Sequence, residues 1–346
     1  MSLRDAFLNQ AQSCVALGSP FMGRLLTCLA EDWPTDSALA KAFDGFVGDI
    51  GPKGHSLPLR LAGGLHALVL VARDPNLAAV YPPNAPSDDR LRRHVLEGLR
   101  HNEAFLLDWI KSAPQTNEVR RSAALIPGAR VAAARFPLPM ILSELGSSGG
   151  LNMMWDHFAL AIGGQIIGPE HPTLTLMPEW TGPMPPSISP VVAQRTGVDL
   201  NPLDPRKPAD LLRLTAYLWA DQPDRLALTR DAAAVMDAPI IRADAIDWLE
   251  MRLATVYPGH LHLIQHTIAW QYFPQAAQAR GQAMIEAAGQ RATKDAPLAW
   301  LALENDGDVT GQIGAALTLR LWPGDIRLAL GRADFHGRWV QWSGLT

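Results

Sequence analysis

The densest chemistry in the sequence is the run Glu144-Leu-Gly146-Ser-Ser148-Gly-Gly150, which ends the apolar stretch Met140 to Leu145 and leads into Leu151-Asn152. Glycines in such a turn reach positive φ and let backbone amides approach a ligand closely. An acid at the end of the preceding strand can hold a cationic group. Together they suit the amino-acid end of S-adenosylmethionine, with Glu144 meeting the cation and Gly146, Ser148, Gly150 and Asn152 forming the cradle. The same letters spell G-x-S-x-G, the nucleophile elbow of α/β-hydrolases, which would make Ser148 a nucleophile. Asp244 and His336 would then complete the chain order Ser, Asp, His. A third possibility is a tight turn with no chemistry. The cofactor reading explains Glu144, which hydrolysis does not. An elbow also follows several strands, whereas the residues before Met140 read as helical.

Further polar residues stand at the ends of later apolar runs. Asp199, in Gly197-Val-Asp199-Leu-Asn-Pro202, can accept both ribose hydroxyls, because an ionised carboxylate has acceptor capacity for two donors. It lies much further from the glycine turn than the roughly 20 residues of a compact βαβ unit. The plainer role for Asp199 is to cap a turn before Asn201-Pro202. Asp244-Ala245 ends the next run, where an acid can bind the adenine amino group or cap the helix that follows. His266-Thr267 ends the fourth. A histidine there can serve as general base, since its unperturbed pKa lies near working pH, or as hydrogen-bonded structure. Upstream, Gln115-Thr-Asn117-Glu118-Val-Arg-Arg121 has six polar or charged residues in seven. Gln115, Asn117, Glu118 and Arg121, with Thr267, would grip a substrate polar group, Arg121 clasping a carboxylate or phosphate. The alternative is a hydrogen-bond network that orients two domains.

The elements that must position these residues follow from periodicity. To about residue 125, apolar residues recur at helical spacing: Phe21, Leu25 and Leu29, then Leu91, Val95, Leu99, Leu106 and Trp109, with Ser87 as a cap. An all-α domain over residues 1–125 is expected. From residue 126 to 346, short apolar runs alternate with helical stretches: Met140 to Leu145, Val191 to Asp199, Pro239 to Asp244, His260 to His266 and Pro297 to Glu304. This alternation predicts a mostly parallel sheet with crossover helices. Leu151 to Ile162 reads as the first of those helices. Ala316 to Trp322 and Ile326 to Leu330, joined by Pro323-Gly-Asp325, form an antiparallel hairpin. The fold class is therefore α/β, a Rossmann-like, methyltransferase-type sheet preceded by an all-α domain. Residues 163–190 carry seven prolines and read as an irregular insertion.

Composition narrows the function classes. A formal net charge of −4 gives no global attraction to a phosphate backbone, so no nucleic-acid partner is expected. Two cysteines, Cys14 and Cys28, exclude a disulfide framework, and the histidines are scattered without ligand spacing, so no metal site is expected. The start of the chain lacks a signal-like pattern, and the most apolar run, Leu65 to Ala72, is far short of the roughly 20 residues that cross a bilayer. A cytoplasmic protein acting on a small molecule, without a membrane partner, is the expectation.

With these residues in hand, the chain resembles an uncharacterised bacterial family, domain of unknown function 2332. The resemblance rests on Gln115 to Arg121, on Glu144 to Asn152 with Trp155-Asp156, on Arg195 to Asp204, on Trp219-Ala-Asp221-Gln-Pro-Asp-Arg225 and on His266-Thr267, and runs from about residue 55 to the C-terminus. The family is similar in fold to methyltransferases, and the resemblance implies that fold without implying an activity. The leading expectation is a small-molecule methyltransferase: Glu144, Gly146, Ser148, Gly150, Asn152, Asp199, Asp244 and Ala245 hold S-adenosylmethionine, and His266 is the base. A serine hydrolase using Ser148 and a non-catalytic cofactor- or effector-binding protein are the alternatives.

Overall fold

The structure, a computed structural model, describes residues 1–51, 54–307 and 313–344. The chain divides into two units: Met1–Thr116 with Lys207–Ala227, and Asn117–Arg206 with Leu228–Thr346.

The first unit is helical. Helices α1 (Leu3–Ala16), α2 (Pro20–Glu31), α3 (Ala38–Asp44), α4 (Leu57–Leu70), α5 (Pro75–Ala78), α6 (Asp88–His101) and α7 (Glu103–Trp109) precede the sheet. The residues singled out by helical spacing are all buried, from Phe21, Leu25 and Leu29 to Leu106 and Trp109. Ser87 caps α6 by accepting from the Arg90 amide. The run Leu65 to Leu70 lies in α4, where residues from Leu57 to Leu68 are buried on nearly every side, as expected of a core helix. Among the described residues no helix is long and apolar enough to cross a membrane.

The first stretch of this unit ends at Thr116, short of the expected 125, and the chain returns to the unit at Lys207–Ala227. Tyr217 fills the space beside Gly63 of α4, and Trp219 joins the helical core. Asp221 anchors the return: its carboxylate accepts from the Ser19 hydroxyl at 2.5 Å and from the Phe21 amide at 3.0 Å, at the start of α2. Replacing Asp221 with Ala leaves that amide and hydroxyl without their acceptor. We expect Asp221→Ala to lower stability by roughly 1–2 kcal/mol, read as a lower urea midpoint with unchanged slope.

The second unit holds α8 (Ser122–Arg135), β1 (Met140–Leu145), β2 (Phe158–Ile162), β3 (Gln165–Ile167), β4 (Leu174–Leu176), β5 (Glu179–Thr181) and β6 (Val192–Asp199). After α9 (Pro208–Ala216) and α10 (Pro223–Ala234) come β7 (Ile240–Arg242), α11 (Ala245–Ala254), β8 (Leu261–Thr267), α12 (Gln275–Arg291), β9 (Leu298–Glu304), β10 (Ala315–Trp322), β11 (Ile326–Ala333) and β12 (Trp339–Trp342). The large sheet runs β5-β12-β11-β10-β9-β8-β1-β6-β7. From β7 to β9 the strands are parallel, and β10, β11 and β12 continue as an antiparallel meander. Taken in chain order, the five parallel strands lie 3-2-1-4-5, the doubly wound arrangement whose direction reverses between β1 and β8. The fold is α/β, with a Rossmann-like, mostly parallel sheet.

Two segments depart from expectation. Leu151 to Ile162 is not a crossover helix but a 3-10 helix (Leu151–His157) followed by β2. The physical reason is Gly163-Gly164, both at positive φ, which turn β2 into an antiparallel hairpin with β3. The proline-rich stretch is not wholly irregular either, since it holds β3, β4 and β5, the last of which pairs with β12.

Candidate functional site

In an open α/β sheet, ligands bind outside the carboxyl ends of the strands, where strand order reverses. In this chain those ends belong to β1 and β8, and Glu144 stands in register between Gly197 of β6 and Gln265 of β8. The turn after β1 is tied to β6 and the loop that follows it: Ser147 amide to Val198 carbonyl at 3.0 Å, Ser148 amide to Asp199 Oδ2 at 2.9 Å, and Leu203 amide to Ser148 carbonyl at 3.2 Å. The second Asp199 oxygen accepts from the Asn201 amide at 2.8 Å. Asp199 therefore shapes the turn. Gly146, at φ +66°, cannot carry a Cβ because that atom would lie 2.6 Å from the Cβ of Ala269. A Cβ on Gly150 would meet the Met236 side chain at 2.4 Å. The space these glycines leave is filled by protein, and the cradle expected from the sequence is to that extent occupied.

A second segment joins the turn. Asn117 Oδ1 accepts from the Leu151 amide at 2.7 Å, and the Ser122 hydroxyl donates to Asn152 Oδ1 at 2.8 Å. Glu118 caps the short 3-10 helix Val119–Arg121 and takes a 3.3 Å bond from Arg120 Nε. Arg121 Nε donates to the Phe335 carbonyl at 2.8 Å, and its Nη1 approaches the Thr267 carbonyl at 3.5 Å. The structure thus gathers Asn117, Glu118, Arg121 and Thr267 with Glu144, Ser148 and Asn152 in one unit. Gln115 falls in the helical unit.

This edge of the sheet is unusually polar for its burial. Asn117, Glu118, Arg121, Ser122, Glu144, Ser148, Asn152, Gln265 and Thr267 are all buried. Gln265 organises the group, accepting from the Trp155 indole at 3.0 Å and donating to the Asn152 carbonyl at 3.1 Å. Burial pushes Glu144 up to about 8; nearby Asp199 acts in the same direction, and the Gln265 amide and Arg121 charge offset only part of the rise. Among the described residues, the buried atoms without a hydrogen-bond partner include Glu144 Oε2, Ser148 Oγ, Asn152 Nδ2 and Arg120 Nη2. Native proteins rarely leave such groups unsatisfied, because each costs about 1–3 kcal/mol.

Three expected roles change. His266 does not present a free base: Trp300 Nε1 donates to its Nε2 at 2.8 Å, so Nδ1 carries the proton and donates to Glu304 at 2.7 Å. Trp270 stacks on the same ring at 5.0 Å. Burial would raise the Glu304 carboxyl, but the hydrogen bond and charge of His266 and the amides of Ala269 and Trp270 outweigh it and hold the pKa below the usual value. Asp244 is exposed, two strands from β1, and caps α11 through the amides of Ile246 and Asp247, while Ala245 is the helix's buried first residue. Ser148 has the strained φ of +52° that an elbow needs, but its hydroxyl makes no bond to a base. Among the described residues no group of three His, Cys, Asp or Glu side chains could hold a metal.

A family model described as an uncharacterized protein conserved in bacteria (DUF2332) matches residues 4–342. The chain belongs to this family. No curated protein matches it. Family membership names no chemistry, so the site rests on its geometry. Sequence alone missed Gln265 and Arg120 as parts of it. A glutamine within a fully buried strand was the available signal, but only the β1–β8 register places it beside Glu144.

An unfolded glutamate titrates near 4.3, well below folded Glu144. Between the two values the folded state binds more protons, so stability is greatest below the unfolded pKa and is lost as pH rises through about 8. On the order of 5 kcal/mol is expected to go over that window. Urea unfolding of the wild type and Glu144→Gln across this range checks it; equal pH slopes in the two proteins would remove Glu144 as the cause.

Proposed function

We propose that the chain is a small-molecule methyltransferase that binds S-adenosylmethionine at the carboxyl ends of β1 and β8. The observation that carries this reading is the buried Glu144 carboxylate with its unpartnered Oε2 at the reversal of strand order. A buried acid that is costly to ionise is matched by a cation. The unpartnered Asn152 Nδ2 and Arg120 Nη2 are donors and are matched by an anion. Acceptor and donors together call for a zwitterion, and the amino-acid end of S-adenosylmethionine is one. These residues fit the group, although the glycine turn packs against protein more closely than a cofactor cradle would.

Glu144 would hold the ammonium, Asn152 and Arg120 the carboxylate, and the Ser148 hydroxyl either. When bound, the cofactor supplies an electrophilic methyl group on sulfur. The chain's part is to orient the acceptor and exclude water, which raises the weight of each charge at the site. His266 takes no proton in this scheme because its acceptor nitrogen already receives the Trp300 N–H. Asp199 and Asp244 act as a turn clamp and a helix cap.

The sealed His266 also favours a second reading, a protein that binds the same zwitterion without turning it over. Cofactor binding with no methyl transfer to any acceptor would select it.

Calorimetric titration with S-adenosylmethionine near pH 7, in two buffers of different ionisation enthalpy, tests the proposal. Glu144 is largely protonated before binding and ionised beside a cation afterwards, so close to one proton should be released. Glu144→Gln should release none and bind at least about tenfold more weakly. No heat and no thermal shift at millimolar cofactor would sink the idea.

A further inference from the structure

The opposite edge of the sheet carries a cleft that the proposed activity does not use. It lies where β8 and β9 begin and α11 and α12 end, is an open cleft with a cavity volume of about 40 Å³, and is lined by Tyr257, His260, His262 and Arg291 among mostly apolar neighbours. His262 stands three residues before Gln265, the β8 residue paired with Glu144, so the cleft lies roughly 10 Å along the strand from the Glu144 edge at about 3.3 Å per residue.

His262 gives the cleft its chemistry. Arg252 Nε donates to the Ser143 hydroxyl at 3.1 Å, and that hydroxyl lies 2.9 Å from His262 Nε2. An arginine only donates, so Ser143 accepts from it; its hydroxyl is fully buried with no other acceptor among the described residues, and its single proton therefore goes to His262 Nε2. The neutral ring must then carry its proton on Nδ1. His262 is 5% exposed and lines the cleft, and its Nδ1–H has no partner among the described residues. Burial, reinforced by the Arg252 charge, pushes this histidine down to about 3, so the ring stays a neutral donor.

Charge around the cleft points the same way. Among the described residues Arg291 bonds only to the carbonyls of Ala287 and Leu253. Arg252 rests on Trp248 and Tyr257, and its Nη2 is buried without a partner. Neither arginine has a carboxylate partner among the described residues. Two helix C-termini contribute about −0.5 each, against a full positive charge on each arginine, so the surroundings remain about one unit positive. An arginine at a helix end is often only a cap, but a cap does not explain a histidine donor fixed toward a cleft whose lining contains no acid.

We infer that this cleft binds an oxyanion, a phosphate group, held by His262 Nδ1–H and Arg291 and attracted by Arg252 from behind the wall. The site is independent of cofactor binding at Glu144. The same chemistry serves free phosphate and the phosphate head of a larger molecule.

Titrating the full chain with inorganic phosphate and, separately, with glycerol 3-phosphate, at ionic strength fixed by chloride, tests this. Saturable binding is expected, weakened at least tenfold by Arg291→Gln, which alters an exposed helix end, and similarly by His262→Gln. Tighter binding of the ester would assign the site to a phosphorylated metabolite, and equal binding would assign it to free phosphate; both support the inference. Glu144→Gln should bind phosphate as the wild type does, which separates this site from the cofactor reading. No saturable binding by the wild type, or unchanged binding by Arg291→Gln, overturns it.

Discussion

One carboxylate oxygen holds together the part of the sheet on which the candidate site is built. Glu304 Oε1, at the end of β9, accepts from His266 Nδ1 at 2.7 Å, from the Ala269 amide at 3.0 Å and from the Trp270 amide at 3.1 Å. Between those donors the chain passes through Ile268 at φ +48°, a conformation that β-branched residues avoid. Such strain costs of order 1–3 kcal/mol and persists only where its surroundings over-determine it. Three charge-assisted bonds to one oxygen provide that, and the Ile268 amide adds a fourth tie to the Leu303 carbonyl. The bent loop sets Ala269 against Gly146, so the geometry of the turn after β1 depends on an acid two strands away.

The polar layer above β1 and β8 is the opposite kind of arrangement. Trp155, Gln265, Asn152 and Ser122 bond to one another, and Asn117 accepts from the adjacent Leu151 amide. Such a network rigidifies a site when complete and is costly when it is not. Here it stops short at Glu144 Oε2, Ser148 Oγ, Asn152 Nδ2 and Arg120 Nη2, which mix acceptors and donors. A core assembled for stability alone would have apolar side chains in these positions. Single buried atoms without a partner occur elsewhere among the described residues, as at Tyr81 Oη and Trp322 Nε1, but here a carboxyl acceptor and an amide donor fall together where strand order reverses.

Much of this was legible in the sequence where a pattern repeats locally. The five parallel strands follow from apolar runs ending at polar residues, and the helical core follows from spacings such as Leu91, Val95 and Leu99. The Leu151 to Ile162 helix was misread because its apolar residues suit either period, and Gly163-Gly164 decided for a hairpin. The return of Lys207–Ala227 to the helical unit is a long-range fact carried by Asp221, and no local pattern announces it. Glu144, Ser148 and Asn152 were visible because one turn holds them. Gln265 was not, since it meets Glu144 only through the register of β1 and β8. Asp199 and Asp244 stand where the pattern put them, yet their oxygens serve backbone amides.

The two histidines of β8 show why residue type alone does not assign a role. His262 and His266 are four residues apart on a strand, so they share one face of the sheet, and both are almost fully buried. Each receives a proton donor at Nε2, from Ser143 in one case and Trp300 in the other, and each is thereby fixed with its proton on Nδ1. The difference lies in what Nδ1 meets. For His266 it is Glu304, which leaves neither ring nitrogen free and turns the ring into a strut. For His262 it is the wall of a cleft, which leaves a donor to spare. The hydrogen bond at one nitrogen fixes the tautomer; the neighbour of the other nitrogen decides between structure and recognition.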